Sequence, residues 1–300
     1  MPAVQPPVRR HLLRAAPVLA VTALVAALAA CGGGDDPVAT GDPGDATTST
    51  VVVPAGVGAI EHPTGAGDVV LEIRDEGGFV PADVNFAAVP RVLVTGDGRV
   101  VQDGPVPAIY PGPLLPNLQQ HQIGEDGVQQ LLALADEHGL LADVTYDGPT
   151  NVADAPDTVV VVSAGGRTYE HRAYALGLSG EAESDPARAR LQDFVAAAEE
   201  LTVAGARPGD ATAYESDTFL VRATPVDPGV AGQAPDGIEP RQAEWPAGAP
   251  RLADAAECAA VPAAVVGDLL RGSDQLTRFI DGGAAYVVAA VPALPGRSCG

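Results

Sequence analysis

The chain has 300 residues, of which 17 are basic and 39 acidic, and its formal net charge is −22 at pH 7. Every basic residue is an arginine, which excludes lysine-dependent sites such as Walker A loops, Schiff bases and serine–lysine pairs. The acidic balance also argues against nucleic acid as a partner, because nucleic-acid binding needs clustered cations to neutralise phosphates.

Residues 1–30 have the pattern of a secretory signal peptide. Three arginines, Arg9, Arg10 and Arg14, precede an apolar stretch over 15–30, and this order is typical of exported proteins. The stretch has about 16 residues, whereas a membrane-spanning helix needs about 20. Glycines and aspartates follow it instead of basic residues, so we expect the segment to be cleaved and not retained as a membrane span.

The four residues Leu28-Ala29-Ala30-Cys31 resemble the lipobox of bacterial lipoproteins. The resemblance implies cleavage before Cys31, a diacylglyceryl thioether on its sulfur, and a further acyl chain such as palmitate on the new amino group. Two or more acyl chains hold a protein stably at a membrane. Cys31 is therefore the predicted lipidation site, and the membrane is the predicted partner of an extracytoplasmic protein. The alternative is an ordinary signal peptide that leaves Cys31 free.

Residues 31–67 are mostly Gly, Asp, Pro, Thr, Ser and Ala. Such a composition buries too little apolar surface to offset the entropy of ordering. We therefore expect a lipidated cysteine followed by a disordered tether over 31–67. A main α+β domain over 68–210 and a smaller C-terminal α+β unit over 211–300 would follow, either as separate sheets or sharing a continuous one.

The first half of the main domain predicts strands, one hairpin and one helix. Apolar runs on both sides of Asp97-Gly98 indicate a hairpin, and the proline-rich piece that follows predicts an ordered loop. Apolar residues then recur at helical spacing up to Gly139, a position typical of a helix stop. The expected strands are 69–74, 91–95 and 99–102, the loop is 105–116, and the helical stripe is Val128, Leu131, Leu132 and Ala135.

The second half predicts another hairpin and another helix. The hairpin turns at Gly165-Gly166, between strands over 158–163 and 168–176. The helix begins with Asp185 as the N-cap and Pro186 at the first helical position. Hairpins alternating with helices favour an antiparallel sheet packed on one face by helices.

The C-terminal unit predicts two strands, 218–224 and 284–291, a helix over 262–270, and a linker or long ordered loop over 225–253. Cys258 and Cys299 remain once Cys31 is assigned to lipid, and outside the cytoplasm such a pair favours a disulfide. Closing a loop of about 42 residues would stabilise the fold by roughly 4 kcal/mol in the chain-entropy model. The alternative for these thiols is a metal-binding or nucleophilic role.

Several short segments also resemble a known family. They are Gly78-Phe79-Val80-Pro81, Gly96-Asp97-Gly98-Arg99, 127–132, 152–156, Gly166-Arg167-Thr168 and the ending 291–296. Together they resemble a family of uncharacterised high-GC, actinobacterial-type lipoproteins. More loosely, residues 68–202 are similar to a domain of unknown function. The resemblance implies a fold arrangement and an exported context, and it implies no activity.

Two groups of polar residues are weak candidates for chemistry. Strand alternation puts His171 on the face of Tyr169 and Ala173, where it is either a core histidine or a general base paired with Asp154. Asp147, Asp154 and Asp157 are weak candidates for a Ca²⁺ site, but the EF-hand spacing is missing and ordinary turn chemistry is the favoured explanation. His121 is expected to face solvent, and no cofactor or metal is expected.

Trp245 is the only tryptophan and is a weak candidate for a binding contact; the other interpretation places it in the core of the smaller unit. The favoured function is a non-catalytic binding or scaffold module on the outer face of the cell membrane. Its ligand would be an envelope protein, a cell-wall component or a small molecule. The alternatives are an envelope hydrolase that uses His171 with Asp154, and a structural or inhibitor-like protein that docks a partner at a sheet edge.

Overall fold

A computed structural model describes residues 58–178, 185–205, 210–227 and 237–299. The predicted signal peptide, Cys31 and most of the predicted tether lie outside the described residues. Within Pro54–Gly300, which form one unit, the chain builds two β-sheets and four α-helices over the described ranges.

The first sheet has seven strands, and each of its strand pairs is antiparallel. The strands are β1 (Val69–Gly77), β2 (Val92–Thr95), β3 (Arg99–Asp103), β4 (Leu118–Gln122), β5 (Pro156–Ala164), β6 (Arg167–Tyr174) and β7 (Thr212–Ala213). Their spatial order is β6-β5-β1-β2-β3-β4-β7. Both predicted hairpins, β2–β3 and β5–β6, are present.

Three helices belong to this part of the chain: α1 (Ala82–Ala87), α2 (Gly124–Glu137) and α3 (Pro186–Gly205). The apolar sides of α2 and α3 join the buried core with one face of the sheet, because their apolar residues recur every three or four positions. The Asp185 carboxylate accepts a hydrogen bond from the Ala187 amide at 2.9 Å, as the predicted cap requires. The predicted α+β architecture, an antiparallel sheet with helices on one face, is confirmed.

The second sheet has five strands in the order β10-β8-β12-β11-β9. They are β8 (Thr218–Pro225), β9 (Gln242–Glu244), β10 (Ala259–Pro262), β11 (Arg278–Asp281) and β12 (Ala284–Pro292), and α4 (Ala263–Arg271) follows β10. β9 pairs in parallel with β11, and the other pairs are antiparallel. The two parts of the chain therefore form two sheets and not a continuous one.

Segments on the C-terminal side of the expected boundary at residue 210 also contribute to the first sheet. β7, at 212–213, still belongs to the first sheet. After β12 the chain returns, and Leu294 packs against Leu93, Val101 and Leu118 of the first sheet. We call residues 293–299 the strap, because this segment crosses the sheet face that α2 and α3 leave free.

The sequence interpretation missed α1, β4 and four further short strands, β7, β9, β10 and β11. α1 has no buried residue, so it lacks the apolar stripe that marks a helix. β4 reads Leu-Gln-Gln-His-Gln and lacks the β-branched and aromatic residues typical of strands. It is a strand because its backbone pairs with β3 on one side and β7 on the other.

The described chain begins inside the expected tether, and its first residues lie against the folded body. Ile60 exchanges two hydrogen bonds with the Gln129 side chain, at 2.8 and 2.9 Å. The Glu61 carbonyl accepts from the Gly165 amide at 2.7 Å, and His62 contacts Glu125 at 3.1 Å. The expected tether boundary at residue 67 is therefore too late, since polar side chains on α2 hold a segment that has few apolar residues of its own.

Candidate functional site

The first sheet has one face that α2 and α3 do not cover, which we call the open face. On β1 it carries Glu72, Arg74 and Glu76, because alternate residues of a strand point to the same side. The intervening residues of the same strand, Leu71 and Ile73, point to the opposite face and join the core under the helices. The open face therefore presents charged side chains where the opposite face presents a dry core.

These charges form a continuous row of ion pairs. The Arg74 guanidinium lies between two carboxylates, at 2.7 Å from Glu72 and 2.7 Å from Glu76. Glu76 also contacts Arg172 on β6 at 2.6 Å, and Arg172 reaches Asp157 on β5 at 3.2 Å. Each charge in the row thus has a neighbour of opposite sign, and Glu72 stands at one end of the row.

A cavity of about 500 Å³ opens beside Glu72, and we call it the strap groove. One wall is β1, the second is the segment after α1, and the third is the strap. Apolar contacts come from Val89, Val161 and Leu294, whereas Arg297, Asn85 and Ser298 are polar. Its size is within the range of small-molecule sites.

The strap is held in place at both sides of the groove. Cys299 forms a disulfide with Cys258, with a Cα–Cα distance of 5.5 Å, which confirms the predicted pairing. Arg297 donates hydrogen bonds to the carbonyls of Phe86 and Ala88, and its guanidinium lies over the Phe86 ring at 5.9 Å. Gly296 has φ 77° and a Cβ there would approach Val69 to 3.0 Å, so a side chain would disturb this crossing.

The electrostatics of the groove differ from one carboxyl to the next. Burial raises the pKa of Glu72, although Arg74 opposes the effect. Burial also acts to raise the pKa of Glu76, but hydrogen bonds from Arg74 and Arg172 outweigh it and lower that pKa. Burial lowers the pKa of Arg297, with Glu72 opposing it. Of Glu72 and Glu76, Glu72 is therefore the carboxyl whose charged form burial disfavours, even with Arg74 and Arg297 nearby.

His171, the candidate general base, lies on the helix-covered face and is 1% exposed. Its Nε2 bonds to the Leu140 carbonyl at 2.8 Å. A carbonyl only accepts, so the proton is on Nε2, and Nδ1 accepts a hydrogen bond from the Tyr146 hydroxyl at 2.9 Å. Burial lowers the pKa of His171 and raises that of Tyr146 to about 12. The pair is thus neutral and its hydrogen bonds are complete.

Asp154, the suggested partner of His171, is placed elsewhere. It is exposed, has φ 59°, and its carbonyl accepts a hydrogen bond from the Phe79 amide at 3.2 Å. Among the described residues no hydrogen bond or ion pair joins Asp154 to His171. The geometry therefore gives the His/Asp hydrolase hypothesis no support.

The three aspartates proposed for calcium serve other contacts. The Asp147 carbonyl accepts a hydrogen bond from Arg188 at 3.3 Å, and the Asp157 carboxylate pairs with Arg172. Over the described ranges, no group of three or more His, Cys, Asp or Glu residues is arranged to hold a metal ion. Cys258 and Cys299 are bonded to each other, so neither is a free thiol.

Trp245 lies in the core of the second sheet. It is 7% exposed, its indole N–H donates to the Pro250 carbonyl at 2.8 Å, and its ring meets Phe279 edge to face at 5.8 Å. The ring is therefore not a surface contact for a partner. The expectation that His121 faces solvent is wrong, since β4 turns this side chain toward α3, where its Nε2 bonds to the Thr202 carbonyl at 2.8 Å.

The residues of the strap groove were not singled out by the sequence interpretation. The spacing Glu72-Arg74-Glu76 marks one polar side of a strand, and this signal was available. Nothing local indicates that Arg297, close to the other end of the chain, packs beside them. Contacts between distant segments follow from the tertiary fold.

A comparison of the chain with protein-family models, with curated proteins and with solved structures found no match. Among the helices that the structure describes, none is both long enough and apolar enough to span a membrane.

Proposed function

We propose that this protein is a bacterial envelope lipoprotein, anchored by lipid on Cys31, whose folded part is a non-catalytic binding module. The strap groove is its ligand site. The observation that carries the proposal is the convergence of β1, the segment after α1 and the disulfide-held strap on a cavity with a partly buried carboxylate. The resemblance to uncharacterised actinobacterial-type lipoproteins agrees with this assignment.

The composition of the groove favours binding over catalysis. Ser298 supplies its only hydroxyl side chain, and no histidine or cysteine is among the described residues that line it. Nucleophilic catalysis needs a nucleophile beside a base in hydrogen-bond reach, whereas Glu76 already contacts two arginines and Asp75 contacts Arg91. The carboxylates Glu76 and Asp75 are therefore held by arginines and are not placed to activate a nucleophile, which suits a binding site.

The same groups indicate the chemistry of the ligand. Glu72 gives one oxygen to Arg74, and its raised pKa indicates a charge that lacks full compensation. A ligand ammonium group at Glu72 would supply that compensation. The aliphatic walls from Val89, Val161 and Leu294 would cover a short hydrocarbon chain. The groove therefore fits a small aliphatic amine or an amine-bearing part of an envelope component.

The ligand site is tested with putrescine as a probe, and with acetate as an anion of opposite charge. We expect putrescine to bind measurably by calorimetry and acetate not to bind. A Val161→Trp variant fills the groove and should abolish binding, whereas Ser163→Trp, on the same strand and face but outside the lining, should leave it unchanged. Equal binding to both variants, or no binding of putrescine, would contradict the proposed site.

The anchor is tested separately by expressing the full chain with radiolabelled palmitate. Wild type is expected to incorporate the label and to sediment with membranes, and Cys31→Ser is expected to do neither. An unlabelled, soluble wild-type protein would overturn the anchor without affecting the groove.

A further inference from the structure

The loop between β3 and β4 exposes a short apolar segment, Pro-Val-Pro-Ala-Ile-Tyr over 105–110, which we call the apolar tip. Val106 is 64% exposed, Ile109 63% and Tyr110 54%. Among the described residues, none of these three side chains belongs to a buried cluster. Single exposed apolar side chains are common, but several on one short loop form a patch that indicates a contact surface.

The base of the apolar tip is fixed to the folded body. The Gly104 amide donates to the Asn117 carbonyl at 2.6 Å, and the Asn117 side chain donates to the Pro105 carbonyl at 2.8 Å. Further along the same loop, Leu114 and Leu115 pack against the core of the second sheet. The prolines of the tip also restrict its backbone. A stiff loop loses little conformational entropy on binding, so the tip is preorganised for a contact.

The backbone of the apolar tip suits an apolar environment. Pro105 and Pro107 have no backbone N–H, and the Ile109 N–H donates to the Pro107 carbonyl at 2.9 Å. A backbone donor that leaves water without a partner costs free energy, and these residues avoid that cost. Tyr110 adds an aromatic ring whose hydroxyl can stay at the polar boundary of a bilayer.

The charge pattern also distinguishes this loop from the rest of the chain. The protein has 39 acidic residues and a net charge of −22, but no Asp, Glu or Arg occurs between Asp103 and Glu125. Charged side chains enter lipid only at a high cost in free energy. The apolar tip can therefore enter a lipid surface without burying a charge. The acidic body would be repelled by an anionic surface, which favours a lipid surface without net charge.

We propose that the apolar tip inserts into the interfacial region of the membrane that holds the lipid anchor. Val106, Ile109 and Tyr110 enter the boundary between headgroups and acyl chains, and the β3–β4 loop thereby faces the membrane. Lipid is favoured over a protein partner because the anchor keeps lipid within reach. The segment from Cys31 to Gly58 has about 27 residues and can span about 90 Å, so it allows this orientation. The proposal rests on the anchor at Cys31 and is independent of the strap groove.

The experiment measures the depth of a tryptophan in vesicles. The lipidated protein is reconstituted into phosphatidylcholine vesicles that contain lipids with brominated acyl chains, which quench tryptophan fluorescence. Ile109→Trp places the probe in the apolar tip. Val203→Trp is the matched control, because Val203 is 61% exposed on α3 and follows Thr202, which contacts His121 near the other end of β4. Wild type contains only Trp245, which is buried, and gives the background.

We expect quenching of Ile109→Trp to exceed that of Val203→Trp by about twofold or more, because bromines in the acyl region reach only residues at the membrane boundary. Adding Val106→Asp to Ile109→Trp should reduce the quenching by about half or more, because a carboxylate resists insertion. Both positions are exposed, so these variants are expected to fold normally, which circular dichroism checks.

Three results would overturn the proposal. Equal quenching of Ile109→Trp and Val203→Trp means that the apolar tip meets water or a protein partner and not lipid. Quenching that Val106→Asp leaves unchanged means that the added tryptophan, and not the native loop, makes the contact. A protein that does not sediment with the vesicles overturns the anchor together with this proposal, whereas a sedimenting protein with equal quenching leaves the anchor intact.

Discussion

The two faces of the seven-stranded sheet differ although the same strands build both. On the helix-covered face Ile73, Val160 and Phe194 belong to one fully buried core. The open face has charges at one end, polar side chains at the other, and a small apolar centre in which Leu294 of the strap takes part. The strap groove is on the open face. The strap covers only part of the open face and leaves a cavity beside it, whereas α2 and α3 pack closely on the other face.

The largest expected effect comes from opening the core on the helix-covered face. Phe194 is fully buried, and Phe194→Ala should lower the free energy of unfolding by about 3–5 kcal/mol, because burial is lost and a cavity remains. The control is Phe79→Ala, which removes a ring that is 87% exposed and should change stability by about 0.5 kcal/mol or less. Urea unfolding followed by circular dichroism measures both. Similar losses in the two variants would contradict the burial assigned to Phe194.

The next largest effect is expected from removing the disulfide that holds the strap on the open face. Replacing both Cys258 and Cys299 by serine should destabilise the protein by about 2–4 kcal/mol, because the unfolded chain is no longer constrained. Binding of putrescine in the strap groove should weaken as well, since the strap loses its covalent attachment. Wild type treated with a reductant is the control and should lose a similar amount of stability, because reduction removes the same bond. Unchanged thermal stability of the double variant would contradict the structural role of this bond.

A smaller effect is expected at the buried Tyr146–His171 pair. Tyr146→Phe leaves His171 Nδ1 without a donor and should cost about 1–2 kcal/mol. Tyr110→Phe, at an exposed tyrosine, should cost nothing measurable.

The same pair predicts a pH dependence. The pKa of folded His171 is below 6.5 because burial disfavours the charged ring, so its stabilising contribution is present above pH 6.5 and is lost as the pH falls through the lowered pKa. An NMR titration of the ring protons measures this directly, and a midpoint at or above 6.5 would contradict the described burial.

The smallest effect distinguishes two carboxylates of the same row. Glu76 has a lowered pKa, so its contribution is present above pH 4.5 and is lost on acidification. At pH 7, Glu76→Gln should destabilise by about 0.5 kcal/mol, since the pair is partly exposed. Glu72 has a raised pKa, so its contribution is present below pH 4.5 and is lost as the pH rises through the raised pKa, and Glu72→Gln should remove that loss. Chemical unfolding between pH 4 and pH 7 separates them, and an identical pH profile for the two variants would contradict the assignment.

The parts of the fold that were predicted correctly depend on residues close together in the chain. The turns at Asp97-Gly98 and Gly165-Gly166, the Asp185 cap and the stripe on α2 are all such local signals. β4 and α1 were missed because their side chains do not show the usual pattern, and only pairing and packing by distant segments define them. His171 shows the same limit. Strand alternation placed it on the correct face, but its hydrogen bonds to Tyr146 and Leu140 join distant segments and could not be predicted.

The sequence by itself determined the α+β class, both hairpins, the caps and the pairing of Cys258 with Cys299, because alternation, turn chemistry and cysteine number are readable along the chain. It also supports the lipid anchor at Cys31, which stays a prediction. Only the tertiary structure decided that the chain returns over the open face and that Arg297 lies near Glu72. The physical reason is that a cavity is formed by side chains from separate segments, and their meeting depends on how the whole chain packs.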